Sequence, residues 1–178
     1  MILYGKKTIL HTFTPIDFDF VYDLIQQTNE ADFNIFAGLS KEEIYNIIVS
    51  GIDEGSIAVF IAFTVEGKAS KKFAVIFALQ TDIHEVSFHG IVDKRFLKGL
   101  AKRLKGKKVT YTEDAGKTAL EFLKKHFDRI ETLVNRENRL SVALVKKLGF
   151  KKEGLLRKKA LINGKYVDYI IFSIVKED

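Results

Sequence analysis

Apolar residues recur along this chain in two rhythms. Phe18, Val21, Tyr22 and Ile25 stand three and four apart, the spacing of one helix face, and Pro15 with Asp17 supplies a turn and a helix start before them. Lys7 to Phe13 reads as a strand ahead of that turn. A second helix is expected after Ser40, because Ser40 with Glu43 three positions on matches a capping box and Ile44, Ile47 and Ile48 give an apolar face that Gly51 would end. The rhythm then changes. Ser56 to Val65 and Lys72 to Leu79 are long β-type runs joined by a glycine-containing turn, and Glu85 to Val92 extends them as a third strand.

Beyond Val92 the pattern is less regular. Phe96 to Leu104 has helical spacing, Lys108 to Thr112 reads as a short strand or an extended connection, and Thr118 to His126 is helical through Ala119, Phe122 and Leu123. Arg129 to Val134 is a strand. Arg139 to Leu148 is a helix with Leu140, Leu144 and Leu148 stacked one turn apart, and Gly149 stops it. Phe150 to Ile162 and Tyr166 to Val175 form two strands around Asn163-Gly164, a pair suited to a tight hairpin. The order is neither a βαβαβ nucleotide fold nor an all-helical DNA-binding domain, and it predicts one mixed α/β domain over residues 1–178.

Composition narrows the chemistry. Among 178 residues there is no cysteine, which excludes disulfides, thiolate metal ligands and a cysteine nucleophile. Four histidines without an HExxH arrangement predict no zinc site. Polar residues interrupt every apolar run of the first eighteen positions, and no later run reaches the roughly eighteen apolar residues of a membrane span, so a cytoplasmic protein is expected. The formal charge is +6, and much of the surplus lies between Lys94 and Lys108. Such a run suits nucleic acid, an acidic membrane, a phosphate-rich small molecule, or merely a solvated helix face.

The stretch from Asn135 to Ile174 carries Asn138, Ser141 three residues on, a helix closing in Leu148-Gly149-Phe150, then Glu153-Gly154 and a hairpin with Gly164 and Asp168. In that order and spacing it resembles the C-terminal half of the GCN5-related N-acetyltransferase (GNAT) superfamily. The likeness is greatest to the branch that modifies ribosomal-protein N termini, including members encoded by bacteria and their phages. The resemblance implies a central, mostly antiparallel twisted sheet, flanked by helices and splayed between two parallel strands where acetyl-coenzyme A binds. It also implies acetyl transfer to a primary amine of a small molecule or a protein, with no metal.

In that family the pyrophosphate rests on backbone N–H groups of a glycine-containing loop just before a helix, a placement that suits the orphan donors of a helix start. By position the matching loop is residues 113–118, with Gly116, Lys117 and Thr118 as cofactor-binding residues before a helix beginning at Ala119. Glu113 stands where the family has a basic or amide residue, and Thr118 where it has a second small one. The basic run, with Lys102, Arg103, Lys107 and Lys108, is the alternative phosphate site. Asn138 and Ser141 correspond to residues that hold the pantetheine arm, although Asn138 is equally suited to cap the helix.

Acetyl transfer needs a neutral amine, a reachable thioester carbonyl and a stabilised oxyanion. His84, Glu85 and His89 are the candidates for taking the amine proton, and Glu85 and His89 share one face of an unbroken strand. The resemblance favours Glu85, by the acidic residue it places on that strand; a strand salt bridge is the plain alternative. Many family members protonate the thiolate with a tyrosine in the helix before LGF, where this chain has Val145; Ser141, Tyr111 or Tyr166 are the remaining donors. Backbone N–H groups around Phe88 to Gly90 suit the oxyanion, and Phe33, Phe36 and Tyr45 fall where the family shapes its acceptor groove.

Two other functions stay open on the sequence. One is a GNAT-like protein that binds without turnover, since the phosphate loop and the helix tyrosine both depart from the family pattern. The other is a nucleic-acid-binding module using residues 94–108. An edge strand of the closing hairpin also leaves pairing with a second copy open.

Overall fold

The computed structural model describes residues 1–28, 36–65, 70–96, 111–162 and 164–176. Its elements run β1 (Ile2–Tyr4), β2 (Thr8–Thr12), a 3-10 turn (Pro15–Asp17), α1 (Phe18–Gln27), α2 (Lys41–Asp53), β3 (Ile57–Thr64), β4 (Lys72–Gln80), β5 (Glu85–Val92), α3 (Tyr111–Leu123), β6 (Arg129–Asn135), α4 (Arg139–Lys147), β7 (Lys151–Ile162) and β8 (Lys165–Val175). The eight strands make one sheet in the order β1-β2-β3-β4-β5-β6-β8-β7. Every neighbouring pair is antiparallel except β5 with β6. The mixed α/β architecture expected from the pattern and the mostly antiparallel sheet implied by the resemblance are therefore present.

Both faces of the sheet are covered. On one side α1 and α2 bury Phe18, Val21, Leu24, Ile44 and Ile48 against Val59, Ile61, Val75, Phe77 and Ile91. On the other, α3 and α4 bury Ala115, Ala119, Leu123, Val145 and Leu148 against Phe60, Ala74, Ile76, Phe88 and Ile130. β4 lies between the two cores, and this explains why Phe73 to Ala78 is a continuous apolar run rather than an alternating one.

Local chemistry sets the boundaries. Ser40 Oγ accepts the Glu43 N–H at 3.2 Å and Glu43 returns a carboxylate to the Ser40 N–H at 2.7 Å, so α2 starts on the expected capping box. Gly149 takes a φ of +97°, which glycine adopts without a Cβ penalty, and the chain turns there from α4 into β7. Asp17 is buried, yet its carboxylate is shared by Lys72 Nζ at 2.7 Å and the Thr14 hydroxyl and N–H. Among the described residues no helix is long and apolar enough to cross a membrane.

Three expectations are corrected. β1 is an additional edge strand of three residues, too short for a periodicity to register. Leu140 does not pack beneath α4: it is 83% exposed, and the buried face of that helix is carried by Val145, with Leu148 at its end. Tyr111 and Thr112 are not strand residues, because α3 already includes them. Most of the expected helix from Phe96 to Leu104, the residues Lys102, Arg103 and 108–110, and Asn163 lie outside the described residues.

Candidate active site

The parallel pairing of β5 with β6 holds three rungs: Glu85 with Arg129, Val86 with Ile130 and Ser87 with Glu131. There it stops, although β5 runs on to Val92 and β6 to Asn135. On their far sides the two strands remain fully paired, β5 with β4 as far as Val92 and β6 with β8 as far as Asn135. The facing edges beyond Ser87 and Glu131 therefore have N–H and C=O groups not used by the ladder. Such groups demand partners when water is excluded, so the seam suits an extended ligand with amides of its own.

Side-chain alternation sorts the seam by face. Ile91 belongs to the core under α1 and α2, so Glu85, Ser87 and His89 point to that side, and their register partners Arg129 and Glu131 point there too. Val86 and Phe88 point to the α3 and α4 side. A Cβ built on Gly90 meets nothing within 4 Å among the described residues, which leaves open space beside the unpaired half of β5.

The predicted proton acceptors separate. His84 precedes β5, is largely exposed and faces Asp128 at 3.5 Å, outside the seam. Glu85 sits at the paired end, where Oε2 is 3.0 Å from Arg129 Nε and Oε1 accepts the Thr81 hydroxyl at 2.9 Å. It is the strand salt bridge weighed as the plain alternative, and it is not beside His89, whose described partner is Ser87 with Oγ 2.8 Å from Nε2. His89 stands one alternation beyond the last rung. Burial pushes its imidazole down to about 4, so the ring is neutral at ordinary pH.

Asn138 ends the turn that follows β6, and its Oδ1 accepts the Ser141 N–H at 3.1 Å as the N-cap of α4. Asn135 Oδ1 accepts the Glu137 N–H at 2.9 Å one turn earlier. These bonds place Ser141, partly buried, in the first turn of α4 at the open end of the seam.

The residues expected to form a phosphate loop are helical. Gly116, Lys117 and Thr118 lie inside α3, where backbone N–H groups are taken by the i to i−4 ladder and none is an orphan donor. Gly116 is small for a packing reason: a Cβ there would stand 2.9 Å from Leu148 Cδ1 of the neighbouring segment. Lys117 Nζ pairs with Glu113 at 2.8 Å, and the Thr118 hydroxyl donates to the Asp114 carbonyl at 2.8 Å. The Asp114 carboxylate is engaged by the β1–β2 turn, accepting the Lys6 and Lys7 N–H groups and the Thr8 hydroxyl. Lys107 and Lys108, the alternative, lie outside the described residues, as does Phe33.

The remaining donors are also accounted for. Val145 is buried in the core, Tyr111 is buried against Phe73 and Phe96, and Tyr166 is exposed on the hairpin under Lys158 Nζ. Phe36 and Tyr45 pack in the α1 and α2 core. Sequence reasoning missed Ser87, Arg129 and Glu131. Ser87 shares the alternation of Glu85 and His89 and was within reach of pattern reading; Arg129 and Glu131 required the register.

No family model matches the chain. A curated relative, an uncharacterized N-acetyltransferase p20 from Bacillus licheniformis, is 39% identical over 57 residues, a match spanning 32% of this chain and 32% of the relative. Among solved structures, a spermidine N-acetyltransferase from Vibrio cholerae in complex with CoA and spermine is similar at a TM-score of 0.77, with 20% identity and 97% of both chains covered. A ribosomal L7/L12 alpha-N-protein acetyltransferase in complex with coenzyme A is similar at 0.75, with 13% identity over 99% of this chain and 98% of that one. With its open seam between two parallel strands and its paired helices on each face, the chain has the fold of the GCN5-related N-acetyltransferases.

Proposed function

We propose that this protein transfers an acetyl group from acetyl-coenzyme A to a primary amine by direct attack on the thioester. The observation that carries the reading is the ladder that ends at Ser87 and Glu131 while both strands continue. The two amides of a pantetheine arm suit the N–H and C=O groups that those edges present, and the open space at Gly90 suits its close approach. Asn138 and Ser141 would flank the arm from the first turn of α4. Lys107 and Lys108 are proposed for the cofactor phosphates on their sequence position ahead of α3.

In this arrangement the thioester lies near Ser87 and His89, and the amine arrives from the α1 and α2 side, which those residues face. The amine nitrogen bonds to the carbonyl carbon, the C–S bond breaks, and the amine proton is relayed through the neutral His89 imidazole or water to solvent, since a ring held at about 4 passes the proton on rather than keeping it. Backbone N–H groups of β5 beyond Ser87 would stabilise the oxyanion. Glu85, held by Arg129, is better suited to fixing the closed end of the seam than to accepting the proton. With Val145 in the core, no α4 tyrosine protonates the sulfur, and the coenzyme A thiolate leaves and takes its proton from solvent.

Binding without turnover is the second reading, favoured by the buried Val145. Calorimetry with acetyl-coenzyme A, followed by a thiol-release assay over a panel of small amines and peptide N termini, separates the two. Micromolar binding with thiol release, the latter lowered at least tenfold in His89→Gln with binding retained, is the expected result. Binding without release on any acceptor supports the second reading, and absence of binding rejects both.

A further inference from the structure

Ser87 and His89 stand two residues apart on β5 and share the face turned to α1 and α2, with Ser87 Oγ 2.8 Å from His89 Nε2. Ser87 is also the last residue of β5 paired to β6, and its register partner, Glu131, points to the same face. Arg129 Nη2 donates to Glu131 Oε2 at 3.1 Å, which keeps that carboxylate at the closed end of the seam. His89 lies beyond the last rung, next to the open space at Gly90.

A hydroxyl both donates and accepts, whereas a carboxylate only accepts. The contact between Ser87 and His89 is therefore one of two kinds. If Oγ donates to a bare Nε2, that lone pair is spent on Ser87 and Nδ1 carries the ring hydrogen, so neither nitrogen can take a proton from a ligand. If Nε2–H donates to Oγ, the Nδ1 lone pair is the acceptor, and the hydroxyl hydrogen turns towards Glu131, directly or through one water. Only the second arrangement gives the imidazole the role that acetyl transfer requires, and Glu131 supplies the acceptor that this arrangement needs.

We infer that Ser87 is a positioning residue, whose Oγ accepts the Nε2–H of His89 and so holds the ring in the tautomer whose Nδ1 takes the amine proton. The inference rests on the acetyl-transfer reading given above. As the amine nitrogen bonds to the carbonyl carbon, its proton moves to Nδ1, and both ring nitrogens then carry hydrogen. Nε2–H stays on Ser87, so Nδ1 is the nitrogen that discharges to water, and the ring returns to the tautomer in which it began. Without the hydroxyl the ring samples both tautomers, and each turnover waits for the competent one.

Two measurements on the full chain test this. A long-range 1H–15N correlation spectrum at pH 7, with the His89 signals identified by their loss in His89→Gln, reads the tautomer with no substrate present. Hydrogen on Nε2 alone is expected in the wild type and in Ser87→Thr, and a mixture of tautomers in Ser87→Ala. Thiol release from acetyl-coenzyme A, with the fastest acceptor of the amine panel, should show kcat at least about tenfold lower in Ser87→Ala with KM within about twofold, and kcat restored to within about threefold in Ser87→Thr. A wild-type ring protonated on Nδ1, an unchanged kcat in Ser87→Ala, or a threonine variant that keeps the tautomer but not the rate overturns the inference. Absence of thiol release from every acceptor rejects acetyl transfer instead, and the spectrum alone then decides whether Ser87 holds the tautomer.

Discussion

Arg129 Nε stands 3.0 Å from Glu85 Oε2 across the first rung of the β5 and β6 ladder, and the same guanidinium reaches Glu131 at 3.1 Å and Glu153 at 3.9 Å. One forked cation thus ties β5, β6 and β7 together where the seam begins. A guanidinium can serve several carboxylates at fixed angles, which an ammonium cannot. Because the groups are about a third exposed, solvent screens each pair. Arg129→Gln should lower stability in urea by roughly 1–2 kcal/mol, and Arg129→Lys should recover only part of it. Equal stability of all three proteins would show that the cluster is not a clamp.

His89 gives a pH signature. Its imidazole is held at about 4 in the folded chain against an ordinary value of 6.5. Between those values the unfolded chain binds the extra proton, so stability rises with pH through this window and is lost as pH falls from 6.5 towards 4. The full effect is on the order of 3 kcal/mol. Urea denaturation from pH 7 to pH 4.5 should show this slope in the wild type and a flatter one in His89→Gln. A parallel slope in the variant would assign the dependence to other groups.

Gly116 is expected to be a packing residue. Gly116→Asp would force a carboxylate into contact with buried Leu148, so the thermal midpoint should fall by several degrees together with any change in cofactor binding. Gly116→Ala should cost about 1–3 kcal/mol, less to the extent that the Leu148 methyl groups can move. An unshifted midpoint with acetyl-coenzyme A binding abolished would return the residue to the phosphate site.

Asn138 caps α4, and Asn138→Ala should cost about 1 kcal/mol while Asn138→Ser costs little, since a hydroxyl also accepts the Ser141 N–H. Comparing acetyl-coenzyme A affinity in the two variants isolates the side chain from the cap. Equal loss in both marks a contact made by the amide itself; loss only in the alanine variant marks a helix start that must be fixed for binding.

Much of this fold was legible before the structure. The capping box at Ser40, the hairpin run on either side of residues 66–69, and the β6, α4, β7, β8 ending each rest on signals within a few residues of one another. What failed depended on partners far along the chain. Residues 113–118 contain the glycine, lysine and hydroxyl of a phosphate loop, but Gly116 answers to Leu148 and Asp114 to a turn 107 residues earlier. Leu140 fitted an i, i+4 stripe, yet the helix is rotated so that Val145 takes the core. Glu85 and His89 were rightly placed on one strand face, but only the register reveals that Arg129 claims the first and that Glu131 stands opposite Ser87.

The brevity of the β5 and β6 ladder also has a mechanical side. Five strands lie on one side of that seam and three on the other, and within the sheet only three rungs join them. Pulled apart across the strands, the span from β3 to β7 would part there first, because every other ladder of that span has at least seven rungs. A ligand bonded to both open edges would act as a splint. Its occupancy would then be readable as the force needed to separate the two portions, with no need to follow any reaction.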